Sequence, residues 1–256
     1  MLSVATAAES FAHEHAAGQE AATWQRRALS RIGGLLERES FVVLVVATYA
    51  TLLVVNLNNA VGGDMWLLLA AGREIWENGL PTHDRFTIWA AGERWVDQQW
   101  AAQLGFYGLA AVGGEAAILL ANVVILVATL SAALALARLR GASSRSVAVI
   151  GVLALLVALA HGGVRAQMLA YPLFVAVLWL LRDQTPNRKL VLIFPVLVLW
   201  ANLHGSILVG AALVSLYGMC EAGRLLLGRR SDRGALLTAA LVLGPWLCVL
   251  ASPYAF

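Results

Sequence analysis

The sequence predicts an all-α, polytopic transmembrane helical bundle of about seven spans, and three observations carry that prediction. Long apolar runs recur between residues 41 and 250, and a helical crossing of a bilayer takes about 17–25 residues. Only 13% of the chain is charged against 60% hydrophobic, with a mean hydropathy of +0.76, whereas soluble domains carry about 25% charged residues. Basic residues also cluster in alternate connections. Arg26, Arg27, Arg31 and Arg38 precede the first run, and Arg138, Arg140 and Arg145 follow the second. Arg182, Arg188 and Lys189 follow the fourth, and Arg224, Arg229, Arg230 and Arg233 the sixth. Fourteen of the eighteen basic residues thus fall where alternation puts the cytoplasm, as the positive-inside bias requires. The other four, Arg73, Arg85, Arg94 and Arg165, share the opposite side with six acids between Asp64 and Asp97. Chemistry is expected on that side.

Residues 1–40 read as a cytoplasmic tail. Glu9, Glu14 and Glu20 occupy the stretch where a signal peptide would need an apolar core. His13 and His15 stand at i, i+2, which points their rings to different sides of a helix, so a solvated tail is preferred to a metal site. Trp24, Ala28, Ile32 and Leu35 form one stripe beside Arg27 and Arg31, the pattern of a helix lying on the inner leaflet.

The membrane domain, residues 41–256, divides into expected spans at 41–61, 115–137, 146–160, 167–181, 190–201, 206–222 and 235–250. The fifth and sixth share one nearly unbroken apolar stretch, 190–222, which is short for two crossings. A single crossing would put Arg224, Arg229, Arg230 and Arg233 outside, against the positive-inside bias. A tight hairpin follows, its turn at 200–205 sunk below the outer surface. Irregular backbone at that depth must be buried by protein or border a wet cavity, so the turn is expected to line one.

The external loop, residues 62–114, is too long to be structureless in a compact protein. Met65, Leu68, Gly72, Ile75 and Trp76 recur at helical spacing after Asp64, and Gly79 and Pro81 close the segment as helix-stop signals do. A second amphipathic stretch runs over 95–112, its start at Asp97-Gln98-Gln99-Trp100 expected to be solvated. Five of the nine tryptophans (Trp66, Trp76, Trp89, Trp95, Trp100) lie in this loop, which suits rings anchored at headgroup level. The loop therefore reads as two surface-lying helices joined by 81–92.

Several function classes drop out. A net charge of +3 would suggest nucleic acid in a soluble chain, but here topology and anionic lipids account for the basic residues; no nucleic-acid partner is expected. Cys220 and Cys248 lack metal-ligand spacing and read as small core residues. No Gly-rich phosphate loop, Ser/His/Asp set or Cys/His cluster occurs. A transporter would carry ionisable residues inside its spans, whereas Asn122 is a lone polar residue in a span centre, suited to an interhelical hydrogen bond.

The strings Asp64-Met65-Trp66, Gly72-Arg73-Glu74-Ile75, Asn78-Gly79-Leu80-Pro81 and Asp84-Arg85-Phe86 resemble the first external loop of the GT-C integral-membrane glycosyltransferases. In those enzymes an acid follows the first span and two juxtamembrane helices follow the acid. Arg165-Ala166-Gln167 and the 200–206 string resemble stretches in a large group of bacterial multi-pass proteins of that superfamily. The resemblance covers roughly 41–256. Many members carry two adjacent acids at the first position, whereas Asp64 is followed by Met65. Members usually have more spans and often a further soluble domain, so this chain reads as a shortened or partial version. The resemblance implies a glycosyltransferase of the bacterial inner membrane with a cytoplasmic N-terminus.

The chemistry assigns roles. Outside the cytoplasm no nucleotide sugar is at hand, so the expected donor is a polyprenyl-phosphate-linked sugar, passed to an acceptor the sequence does not identify. The acceptor hydroxyl needs one carboxylate to take its proton, and Asp64 is the catalytic candidate. The leaving phosphate needs a fixed cation, and Arg165 offers a guanidinium that matches it bidentately. Gln167, Asn202 and His204 are candidates for binding phosphate or sugar hydroxyls, as is Asp84. Asp64 and Asp84 are also the acids that could hold a divalent cation (Mg or Mn). Each has a structural alternative. Asp64 suits a helix N-cap and Asp84 an Asx turn. Arg165 could snorkel to headgroups, and His204 could satisfy backbone groups at a bend. Arg73 and Glu77 read as an i, i+4 surface pair. The rival to the enzyme as a whole is a non-catalytic polytopic scaffold or a transporter-like protein.

Overall fold

In the computed structural model the described residues are 37–159, 163–183, 187–228 and 235–253, with Ser30, Gly33 and Gly34 ahead of them. The expected amphipathic stripe of Trp24, Ala28, Ile32 and Leu35 lies outside the described residues, as do His13, His15, Arg229, Arg230 and Arg233. The fold among the described residues is all-α, with one isolated antiparallel bridge between His83 and Arg94. The helices are α1 (Ser40–Val55), α2 (Leu57–Ala60), α3 (Gly63–Asn78), α4 (Trp100–Leu139), α5 (Ser144–Leu159), α6 (Ala170–Leu180), α7 (Ile193–Leu203), α8 (Ile207–Leu226) and α9 (Ala235–Val249). Short 3-10 turns, Ala166–Leu169 and Arg188–Leu192, lead into α6 and α7.

Two of these helices, α4 and α8, are long and apolar enough to cross a bilayer. The helices at the other expected spans are shorter, at 11–16 residues each. The apolar faces turn outward as well as inward: on α5, Val149, Ile150, Leu153, Leu156 and Val157 are all exposed. Soluble proteins seldom leave so contiguous an apolar surface bare.

α3 and the first third of α4 are the two helices expected within 62–114. Gly79 stops α3 with φ 82°, its N–H bonded to Ile75 O at 2.9 Å, and Pro81 follows, a glycine C-cap as the sequence implies. α4 is two helices in one: Gly113 and Gly114 leave helical geometry, Gly114 at φ 62° and ψ −157°. Only glycine adopts that conformation readily, and the apolar portion begins at 115. Gly72 brings α3 against α4 so closely that an added Cβ would stand 2.2 Å from Gln103 O. Met65, Leu68 and Phe106 are buried there, each contributing roughly 1.5–3 kcal/mol.

Residues 79–99 cross over this pair as a doubled-back strap. Asp84 N donates to Glu93 O (2.8 Å) and Trp95 N to Thr82 O (2.8 Å), and the Phe86 and Trp95 rings lie 5.9 Å apart. The remainder packs as two clusters. One joins α1, α3, α4 and α5 around Tyr49, Ile118 and Leu155; the other joins α6 to α9 around Leu197, Trp200 and Leu241. Gly218 lets α8 meet α9 at backbone distance, and Ser215 Oγ donates to Val242 O at 2.8 Å. Small residues and hydroxyl bonds of this kind are how helices associate where water does not drive them together. Cys248 is buried, but Cys220 is exposed on α8 rather than in the core.

Candidate functional site

A cleft of about 270 Å³ opens where the two clusters meet, lined by Asp64, Leu67, Leu68, Gln99, Gln103, Arg165, Ala166, Gln167 and His204. Four of the expected site residues, Asp64, Arg165, Gln167 and His204, share this one cleft although 140 positions separate the first from the last.

Asp64 stands in the first turn of α3, where a carboxylate is favoured by the helix dipole. It is not the cap: Gly62 holds that position, with no side-chain capping bond. The carboxylate is therefore left for Arg165, whose Nε lies 2.9 Å from Asp64 Oδ2. Both side chains are more than half exposed, at 62% and 54%, so the pair is a wet one of small stabilising value and a ligand can reach either member. Arg165 reaches its place by backbone anchoring. Val164 N donates to Ala60 O at 3.0 Å, and Val164, Ala166 and Met168 are buried around it. Arg165 itself is extended and starts the 3-10 turn that carries Gln167.

His204 ends α7 in an extended conformation. Its Nδ1 accepts from Ser206 N at 3.0 Å and lies 2.8 Å from Ser206 Oγ, which in turn accepts from Trp200 Nε1 at 3.0 Å. Nδ1 is thus an acceptor, and the ring hydrogen of the neutral form is assigned to Nε2. Burial pushes the imidazole below its ordinary pKa, toward that neutral form. The break between α7 and α8 is at 204–206, later than the expected turn at 200–205, because Trp200 to Leu203 remain helical. Gly205 admits the Gln98 side chain, whose Oε1 would stand 2.5 Å from an added Cβ.

Two expected site residues lie elsewhere. Asn202, still inside α7, accepts from Trp100 Nε1 (2.8 Å) and donates to Val198 O and Ala251 O (both 2.8 Å). It braces three segments and is absent from the cleft lining. Asp84 is buried and closes an Asx turn, accepting from Phe86 N (2.7 Å), Thr87 N (3.1 Å) and the Thr87 hydroxyl. The Thr87 hydroxyl and the Phe86 amide hold its carboxyl below the usual range. It too is absent from the cleft lining. Among the described residues no three His, Cys, Asp or Glu side chains gather as a metal centre would need. Asp64 and Asp84, the two acids that could hold a divalent cation, do not share the cleft, since Asp84 is absent from its lining.

The sequence pointed to neither Gln103 nor Asp97 as a site residue. Gln103 is 6% exposed; its Nε2 donates to Asp97 Oδ1 at 3.0 Å, while its Oε1 has no partner. Buried polar atoms are nearly always paired, and this one belongs to a residue of the cleft wall. Asp97, expected to be solvated, is 3% exposed, and burial pushes its carboxyl above the ordinary range. Asp97 accepts from Gln99 N (3.0 Å) as well, so it positions two cleft glutamines.

A second cavity, of about 510 Å³ and almost wholly apolar, is walled by Tyr49 of α1, Leu126, Leu130 and Ala133 of α4, Val157 of α5 and Tyr171 of α6. The turn bearing Arg165 and Gln167 runs directly into α6, which supplies Tyr171 to this groove. Neither a protein-family model, nor a curated protein, nor a solved structure matches the chain.

Proposed function

We propose that the chain is a polytopic membrane glycosyltransferase of the GT-C kind, moving a sugar from a polyprenyl-phosphate donor to an acceptor on the extracytoplasmic side. The observation that carries the reading is the gathering of Asp64, Arg165, Gln167 and His204 around one cleft, from three connections far apart in sequence. In this reading the helices cross the bilayer seven times, α6 and α7 lengthened by the 3-10 turns that lead into them, and the bare apolar faces meet lipid. Trp66, Trp76 and Trp89, all exposed, sit at headgroup level.

The donor's phosphate displaces Asp64 from Arg165, and its prenyl tail lies in the apolar groove beside α6. Freed of the guanidinium, the Asp64 carboxylate takes the proton of the acceptor hydroxyl as that oxygen attacks the anomeric carbon. The bond from the anomeric carbon to the phosphate oxygen breaks, and Arg165 receives the charge that develops on the leaving phosphate. His204, donating through Nε2, and the amides of Gln99, Gln103 and Gln167 orient the sugar hydroxyls.

The experiment is turnover of a polyprenyl-phosphate sugar by purified protein in nanodiscs. Asp64→Asn is expected to lose about 10²–10⁴-fold in rate with elution volume and helicity unchanged. The Asp64–Arg165 pair also favours a second reading, a scaffold in which that bridge only ties α3 to the turn before α6. There the exchanged variant Asp64→Arg/Arg165→Asp would restore every phenotype; in the transferase reading it stays inactive. Absence of co-purified polyprenyl phosphate by mass spectrometry, together with full activity of Asp64→Asn, would overturn the proposal.

A further inference from the structure

A second charged cleft lies at the other end of the bundle, where α4 and α6 finish and α8 nears its last turn. It has a volume of about 510 Å³. Leu136, Leu181 and Leu216 are among its apolar walls, and Arg140, Arg182 and Arg224 stand at its polar edge. The three arginines are not alike. Arg224 is neutralised by Glu221, at 2.5 Å, whose side chain is only 2% exposed. Arg182 lies over the Trp179 ring, 5.1 Å from its centroid, and its carboxylate partner is its own neighbour Asp183 at a loose 3.6 Å. Arg140 donates to the Arg182 backbone carbonyl, and among the described residues no carboxylate pairs with it. Arg140 is therefore held by a backbone carbonyl and Arg182 by an aromatic ring, both on the lining of one cleft, and their charge is met by one weak acid contact.

We propose that this cleft binds one anionic phospholipid, its phosphate between Arg140 and Arg182 and an acyl chain along the leucine wall. Guanidiniums match phosphate oxygens with paired N–H donors, and basic pockets between helices at a membrane face hold anionic headgroups in this way. A small polar anion would leave the leucine wall unused; an uncharged lipid would leave the arginines unmatched. The proposal rests on the bilayer-crossing part of the reading above and not on sugar transfer.

Native mass spectrometry of the protein released from nanodiscs holding equal phosphatidylglycerol and phosphatidylcholine tests it. The wild-type chain is expected to retain phosphatidylglycerol selectively, and Arg140→Gln/Arg182→Gln to lose that retention by about tenfold. Arg140→Lys/Arg182→Lys should keep most of it, and Leu216→Trp, which fills the cleft with both charges intact, should lose it. Asp64→Asn should retain the lipid fully, so failure of sugar transfer and failure of lipid binding are read separately. Equal retention of the two lipids, an unchanged signal in the double Gln variant, or displacement by millimolar inorganic phosphate would overturn the proposal.

Discussion

At the scale of single residues, the cleft depends on which polar atoms are already spent. Asp84 and Asn202 have committed theirs to turn and brace, whereas Gln103 keeps one acceptor in the cleft wall with nothing to accept from. Gln103→Leu removes that acceptor at nearly equal volume, together with the Nε2 donor to Asp97. Donor binding, measured by competition with a labelled polyprenyl-phosphate sugar, is expected to weaken about 3–10-fold, the worth of one hydrogen bond. Acidity offers a second check. His204 has a lowered pKa by burial, so between that value and 6.5 the unfolded chain holds more protons than the native one. Stability therefore rises with pH across that window and is lost on acidification. Asp97, raised by burial, works the other way: above 3.8 the native state holds the extra proton, and stability falls as pH climbs through its folded value. Thermal midpoints recorded from pH 3 to 8 should show both slopes, with His204→Gln flattening the first and Asp97→Asn the second.

Helices bring these residues together through a few close approaches. Gly72→Ala puts a Cβ into the Gln103 backbone carbonyl, and main chain yields poorly, so α3 must move off α4. A loss of about 1–3 kcal/mol is expected, read as a lowered thermal midpoint. Gly105→Ala, on α4, meets nothing within 4 Å and is expected to be neutral or to gain up to about 1 kcal/mol. Much at this scale was legible beforehand. Asp64, Gly79 and Pro81 bracket α3, and Gly113-Gly114 separates the amphipathic start of α4 from its apolar body. The α7–α8 break was misplaced because Trp200 to Leu203 contain no residue that stops a helix. Burial of Asp97 and Gln103 was illegible for another reason. It follows from the 79–99 strap folding over α4, and a sequence pattern read along one helix does not register a neighbour that covers it.

For the molecule as a whole, two packed clusters meet at the cleft, and the same helices that start there end at the arginine-lined cavity. The seven-crossing reading makes these ends face opposite compartments. In a chain with Cys220 and Cys248 replaced by Ser, Glu93→Cys is expected to react with an impermeant maleimide from one side of sealed vesicles and Arg188→Cys only from the other. Labelling of both from the same side would reject that topology. One small amide bears on how the two clusters are held. Asn202 holds the Trp100 indole with its oxygen and the Ala251 carbonyl with its nitrogen, so one planar group links the start of α4 to the residue just beyond α9. That amide works beside the Ser215 hydroxyl, which ties α8 to Val242 of α9, so the last helix is fastened at its middle and just past its end.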